Sequence, residues 1–402
     1  MNTGIQTYRR SDGYWVARIE AGWTPRGTRL RPSAVARTEA EAKRRARELL
    51  RKYREGGQQA LAGRNVTVAA WAARWEKIHF GSLKPRVRED YESKLRLWII
   101  PTIGRRKLSE LNPGDIRRVA DAIAQARLST TSAKNAHRVL KNMLRAAKRE
   151  GLYVPDAALL TQSPKAAKST RTAIAPEELA AILEVVQAQP DRSRWLTALS
   201  YGLRQGETLG LTWGCVDLEH GHLRIDWELQ RIKYADRKAG TFDIPDHVRA
   251  RQLYGGLHLM EVKTDATERE LPLIDDLADE LRAWRKIAPS SPHDLVWPRD
   301  NGHPRNSIYD RREWYEIQAR AGVVSPDGDP YELHEIRHTV VSVLDALKVP
   351  EATRIAIVGH ASAGSSQPYL HTSDPQMVAA LEAAATTLGL GKKLGHGKAQ
   401  AS

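Results

Sequence analysis

The sequence predicts a multidomain, mainly α protein. An N-terminal three-stranded sheet plus helix comes first, then an all-helical segment, then a larger mixed α+β portion. Three observations carry this. The chain has 402 residues, more than one ordinary domain holds. Strand-like runs occur in the first forty residues and again between His222 and Leu273, while helical periodicity governs the chain between and after them. Two polar stretches, Gln58–Asn65 and residues 156–172, read as linkers. The expected divisions are 1–60, 61–155, a linker at 156–172, 173–388, and a Gly-rich tail at 389–402.

In the first division, "IQTYRR" and "YWVARIE" flank Ser11-Asp12-Gly13, a turn signal between alternating runs. A third strand fits "GTRLRPSAV". Thr38 then opens a helix, with Glu41 three residues on as a capping box. The first 60 residues hold 14 Lys and Arg against 6 Asp and Glu, so more than half of the chain's net charge of +15 sits there. Such an excess points to an anionic polymer, nucleic acid above all. Arg9, Arg10, Arg18, Arg29 and Arg31 are the cations placed to meet it.

In the second division, Thr67 caps a helix in which Trp71, Trp75 and Ile78 recur at helical spacing as core residues. The next helix carries Tyr91, Leu95 and Trp98 and is expected to stop at Pro101. A long helix follows through "TTSAKNAHRVLKNMLRAAKREG". Its apolar face is Ala136, Val139, Leu140, Met143, Leu144 and Ala147. Lys134, Arg138, Lys141, Arg145, Lys148 and Arg149 form a face without a carboxylate, read as facing a polyanion. Lys165 and Lys168 extend the cationic stretch into the linker.

The last division opens with helices at "PEELAAILEVVQ" and "SRWLTALSYG". Strand-like runs "HLRIDWELQRI" and "LHLMEVK…ERELPL" follow, then several helices. Lys233–Gly256 reads as an extended basic surface insertion. The composition, 41% hydrophobic and 28% charged, is globular. Cys215 is the only cysteine, which excludes an intramolecular disulfide and a thiolate zinc cluster. No apolar run nears the roughly 20 residues of a membrane span, and the N-terminus lacks a signal-peptide core. The expectation is a cytoplasmic protein.

"ELHEIRHTVV" contains His334, Glu335 and His338 in the pattern H-E-x-x-H, the helical zinc-peptidase spacing. A peptidase needs a third protein ligand, and "TVVSVLDALKV" continues no such motif. Arg337 would also stand as a permanent cation beside the metal. The histidine spacing therefore belongs to other chemistry.

Four stretches supply it: "YGLRQGETLGLTW", "EVKTDATERELPL", "LHEIRHT" and "VGHASAGSSQPYLH". Together they resemble the catalytic signature of tyrosine recombinases, the phage integrase family. Arg204, with Glu207 three residues on, matches the first arginine box, and Lys263 the β-strand lysine. His334 and Arg337 match the H-x-x-R box, His360 the G-H box, and Tyr369 the nucleophile. "IIPTIGRRKLSEL" is similar to the family's core-DNA-binding module. The N-terminal sheet and helix are similar to the arm-site-binding domains of larger phage integrases. The pattern departs in having Glu335 for a common aspartate, "GHAS" for G-H-S-S and "YLH" for Y-T-H.

The chemistry of these residue types agrees. Cleaving a phosphodiester without metal or ATP requires protein cations to neutralise the phosphate. Arginine suits this, because its planar fork grips two oxygens and stays charged. No G-x-x-x-x-G-K-[ST] sequence implies ATP, and no cofactor is expected. The resemblance implies Arg204 and Arg337 as the clamp, and His334 and His360 as donors or proton carriers. Lys263 becomes the general acid and Tyr369 the attacking group that forms a 3′-phosphotyrosyl bond. Glu207, Glu335 and His338 support. It also implies integration of phage or mobile-element DNA into a bacterial chromosome by four protomers working through a Holliday junction. The partners are core-type and arm-type attachment sites, an accessory DNA-bending protein and a directionality factor. The competing readings are a type IB topoisomerase-like strand transferase, which shares the chemistry, and a DNA-binding regulator without catalysis.

Overall fold

The computed structural model describes residues 5–20, 29, 31–56, 66–167, 172–262, 269–359 and 374–390. Lys168, Lys263, His360 and Tyr369 lie outside the described residues, as do residues 58–65 and 391–402. The chain forms two compact units, Met1–Lys168 and Ser169–Ser402.

In the first unit, β1 (Ile5–Arg9), β2 (Trp15–Ile19) and β3 (Ser33–Ala36) form an antiparallel sheet in that order. Gly13, at φ +85°, turns the chain between β1 and β2, a conformation that glycine adopts without a Cβ clash. The helix α1 (Glu39–Gly56) covers one face of the sheet. Ala17, Ala34 and Ala36 meet Ala42 and Ala46, and these small side chains let helix and sheet approach closely. Thr38 Oγ1 accepts the Glu41 N–H at 3.3 Å, as a capped start requires. The opposite face carries Tyr8 and Arg18, whose Nη2 donates to the Tyr8 hydroxyl at 3.0 Å. Arg9, Arg10, Arg29 and Arg31 are exposed; Arg10 pairs with Asp12 at 2.9 Å and Arg31 with Glu20 at 2.7 Å.

The helices of this unit share a separate core. In α2 (Val68–His79), Trp71 and Trp75 are buried, and Trp71 Nε1 donates to Met143 O at 2.9 Å. Ile78, expected in the same stripe, is 55% exposed on the last turn. The next helix does not stop at Pro101. α3 (Pro85–Lys94) widens into a π turn, Leu95–Ile99, and runs on as α4 (Ile100–Ile103). The Ile100 N–H reaches back five residues to Leu95 O, a register change just ahead of a residue that has no N–H to donate. Asn112 and Asp115 cap α5 (Pro113–Gln125) reciprocally.

The apolar face read for α6 (Thr130–Arg149) is buried throughout. Its cationic face needs one correction. Lys134, Arg138, Arg145, Lys148 and Arg149 are exposed, but Lys141 is only 8% exposed, and its ammonium donates to Thr161 O at 3.1 Å. Position 141 lies between the two stripes of the helix, and the chain after α7 (Asp156–Leu159) folds back over it. Lys141 is an internal tether rather than a surface cation.

The second unit begins with α8 (Pro176–Gln187), α9 (Arg192–Tyr201) and α10 (Gln205–Leu209). Two small antiparallel sheets follow. One has the order β11 (Arg269–Pro272), β5 (His222–Ile225), β4 (Val216–Asp217); the other has β6 (Trp227–Arg231), β10 (Leu257–Glu261), β9 (Ala250–Tyr254). A hairpin pairs β7 (Tyr234–Asp236) with β8 (Thr241–Phe242). The stretch expected as an extended loop is thus folded. Ile232, Val248 and Met260 bury a core of their own beneath Phe242 and Ile244, with Phe242 against the rings of Tyr234 and His258.

The main core gathers α8, α9, β5 and β11 with α11 (Asp275–Ile287), α12 (Ser307–Ala321), α13 (Leu333–Ala346), α14 (Glu351–Val358) and α15 (Asp374–Thr387). Met377 and Leu381 of α15, with Leu388 just beyond it, are buried in this core. No helix among the described residues is long and apolar enough to cross a membrane.

One ion network fastens α9 to α12. Arg194, 1% exposed, pairs with Asp191 and Glu313, each at 2.9 Å, and with Asp310. Arg305 joins it through Asp191 at 2.9 Å. The Gln205 amide, at the start of α10, donates to Asp310 Oδ2 at 2.7 Å and Ser307 O at 2.8 Å. Removing one member of such a buried set strands the others without their counter-charge. Arg194→Met should therefore cost about 3–5 kcal/mol in urea unfolding. A loss below about 1 kcal/mol, the scale of an exposed pair, would contradict this.

Candidate active site

Two left-handed helix ends and one short helix start build the site. α9 ends at Gly202 (φ +60°) and α14 at Gly359 (φ +73°). Glycine closes a helix this way because a Cβ would be strained there. Leu203 and Arg204 then lead directly into α10, with Arg204 as its N-cap. Glu207, at the third position of α10, accepts the Arg204 backbone N–H on Oε2 at 3.0 Å and the Arg204 Nη1 on Oε1 at 2.5 Å. The short spacing R-x-x-E thus fixes both backbone and guanidinium of Arg204.

Arg337 reaches the same place from α13. It is 1% exposed, and its guanidinium donates to Gly202 O at 3.0 Å, to Val358 O, and to Gly359 O at 3.1 Å. Arg204 Nη2 donates to that same Gly359 oxygen at 3.1 Å. Two arginines far apart in the chain converge on one carbonyl, in the residue immediately before His360.

A third guanidinium completes the cluster. Arg269 starts β11, where it pairs with buried Ile225 of β5. Its Nε donates to Ile357 O at 2.9 Å and its Nη2 to Glu207 Oε2 at 3.1 Å. Burial alone would raise the Glu207 carboxyl, but the charges of Arg269 and Arg204 outweigh it and hold the group below the ordinary carboxylate range. Burial, and then the neighbouring Arg204, push the Arg337 guanidinium down to about 9. Arginine does not give up its proton in proteins, so Arg337 stays a buried cation. Three guanidiniums surround one carboxylate, and the arrangement favours a bound anion.

The other expected site residues fall as follows. His334 is exposed on the first turn of α13, its ring edge-on to that of half-buried His338 with centroids 4.9 Å apart. Glu335 is buried, and its Oε2 accepts the Glu332 N–H at 2.6 Å, so it caps its own helix and does not pair with Arg337. Lys263, His360 and Tyr369 lie outside the described residues. Sequence reasoning missed Arg269 and Gly359. A signal for Arg269 existed: in "RELPL" it is in phase with the core residue Leu271, and an arginine in that phase needs a buried partner.

The phage integrase family model matches residues 172–376. An integrase of Saccharopolyspora erythraea is 24% identical over 410 residues, covering 91% of this chain and 92% of its own. An integrase of Streptomyces ambofaciens is 25% identical over 358 residues, covering 86% of each. Among solved structures, the Tn1549 transposon integrase in complex with a circular intermediate DNA superposes with a TM-score of 0.62 at 17% identity, over 79% of this chain and 98% of that one. A lambda integrase tetramer bound to a Holliday junction gives 0.54 at 17% identity, over 92% and 99%.

A Cβ added to Gly359 would lie 2.7 Å from Arg269 Nη1, whereas one added to Gly389 (φ +74°) would meet nothing within 4 Å. Gly389→Ala should cost about 1–2 kcal/mol from backbone strain alone. Gly359→Ala should cost clearly more in thermal unfolding, because Arg269 must also move. Equal losses would show that the close approach to Arg269 does not matter.

Proposed function

The chain belongs to the phage integrase family, and from that membership we propose that it cuts and rejoins DNA through Tyr369, with Arg204 and Arg337 holding the scissile phosphate. Its activity is that of a site-specific tyrosine recombinase. The observation that carries the residue assignment is the convergence of the Arg204 and Arg337 guanidiniums on Gly359 O. DNA would present the non-bridging oxygens of one phosphodiester to these two forks, which match them in shape and charge.

In this reading the Tyr369 oxygen attacks phosphorus, the bond to the 5′-oxygen breaks, and the strand stays attached as a 3′-phosphotyrosyl ester. Tyr369 gives its proton to a site histidine acting as carrier, Lys263 gives one to the leaving 5′-oxygen, and return of a proton to Lys263 closes the balance. His334 and His360 donate to the phosphate oxygens or carry protons. The attack adds negative charge at phosphorus, and the surplus of guanidinium over carboxylate stabilises it in place of a metal ion. Glu207, Glu335 and His338 position these groups. Attack of the released 5′-hydroxyl on the ester reverses the chemistry, which conserves the bond energy for joining to a new partner.

The remaining parts take roles consistent with the family. Residues 1–60 bind arm-type sites, with Arg9, Arg10, Arg18, Arg29 and Arg31 on phosphates. Residues 61–155 bind the core site, with Lys134, Arg138 and Arg145 on the outer face of α6, and Lys165 and Lys168 continue the track in the linker. Residues 173–388 carry catalysis. The lambda integrase tetramer on a Holliday junction supports a tetramer of this chain on two duplexes. The physiological outcome is integration of phage or mobile-element DNA into a bacterial chromosome, in the bacterial cytoplasm at the nucleoid. An accessory DNA-bending protein and a directionality factor are its further partners.

A nicked suicide duplex carrying the attachment site should trap the wild-type protein as a covalent adduct that maps to Tyr369. Tyr369→Phe should give none while keeping DNA affinity within about threefold, since the lost hydroxyl contributes little to ground-state binding. A wild type that binds the site but never forms the adduct would favour the regulator without catalysis.

A further inference from the structure

We propose that Arg269 is a positioning residue for the phosphate clamp, joining the Arg204 side to the Gly359 side and keeping Arg204 available to DNA; this rests on the clamp reading above. Its guanidinium bridges two elements. Nη2 holds Glu207 Oε2 in α10 at 3.1 Å, and Nε holds Ile357 O near the end of α14 at 2.9 Å. Gly359, whose carbonyl receives both Arg204 and Arg337, packs directly against the same guanidinium. A planar fork can satisfy both partners from one position, and a lysine cannot.

The electrostatic consequence is specific. With Arg204 alone, a buried Glu207 would form a closed one-to-one pair, and the arginine's charge would be spent on the carboxylate. With Arg269 as a second cation on Oε2, one carboxylate is shared between two guanidiniums, and positive charge remains over for a phosphate. Arg269 itself is only 9% exposed, so it acts through Glu207 and Gly359 and does not touch DNA. A purely structural arginine would support the fold equally whether or not the scissile phosphate carried a charge. A positioning arginine shows itself in that charge dependence.

The test needs no cleavage chemistry. Tyr369→Phe protein is titrated with duplexes spanning the attachment-site footprint, each with one phosphate replaced by a neutral methylphosphonate. At one position, the scissile one, the parent should lose affinity by about thirtyfold, the scale of a lost charge-assisted contact. With Arg269→Gln added, the loss at that position should fall to about threefold or less, while the other positions keep their pattern. Arg269→Lys, which keeps the charge and one bond, should fall between, and it decides the matter if the glutamine variant does not fold. Undiminished charge dependence in the folded variant or variants overturns the inference, as does an equal weakening at every position. A parent indifferent to the methylphosphonate throughout overturns the clamp itself, and the inference with it.

Discussion

One buried carboxylate among three guanidiniums is the constraint on which the second unit depends. Glu207 accepts from Arg204 and Arg269, while Arg337 stands close enough to feel both neighbouring charges. Cations this close repel one another, and burial removes the water that would screen them. They stay together because each also donates to backbone carbonyls at helix ends: Gly202 at the end of α9, and Ile357, Val358 and Gly359 at the end of α14. Those carbonyls carry the partial negative charge of a helix C-terminus. The fold therefore spends two helix ends on holding positive charge in place without cancelling it.

The elements around the cluster follow from that demand. α10 is short, and its glycines let it lie on β6. A Cβ on Gly206 would come within 3.2 Å of Leu229 O, and one on Gly210 within 2.8 Å of Leu229 N. Behind α10, Gln205 ties the turn beside Arg204 to Asp310, and through it to the Arg194 network between α9 and α12. Displacement of Arg204 would thus pull on α10, on the end of α14 and, through Gln205, on α12. That stiffness suits a group whose value lies in pre-set geometry, because a preorganised charge pays no reorganisation when the transition state forms.

Much of this was legible in the sequence, where spacing and chemistry reinforced each other. R-x-x-E places two polar side chains on one helical turn, so Arg204 with Glu207 could be read from a short window. The capped starts at Thr38 and Thr67 and the apolar stripe of α6 were equally local. What escaped was set by contacts distant in sequence. The phase of Arg269 with Leu271 marks it as buried, but its partner Glu207 lies 62 residues away. Lys141 reads as one more surface lysine until Thr161 folds over it. The insertion at 233–256 shows little alternation because its apolar residues Phe242, Ile244 and Val248 pack against Ile232 and Met260, which flank it in the chain. At Pro101 the rule that proline ends a helix was overridden by a π turn, a change of register that keeps Leu95 and Ile99 in the core.

The most direct test is a crystal structure of the Tyr369→Phe protein on a duplex carrying its attachment site. The account predicts the Arg204 and Arg337 guanidiniums on non-bridging oxygens of a single phosphodiester at about 3 Å, with Glu207 still bound to Arg204 and Arg269. A phosphate contacted by neither arginine, or a Glu207 released from both partners, would contradict it.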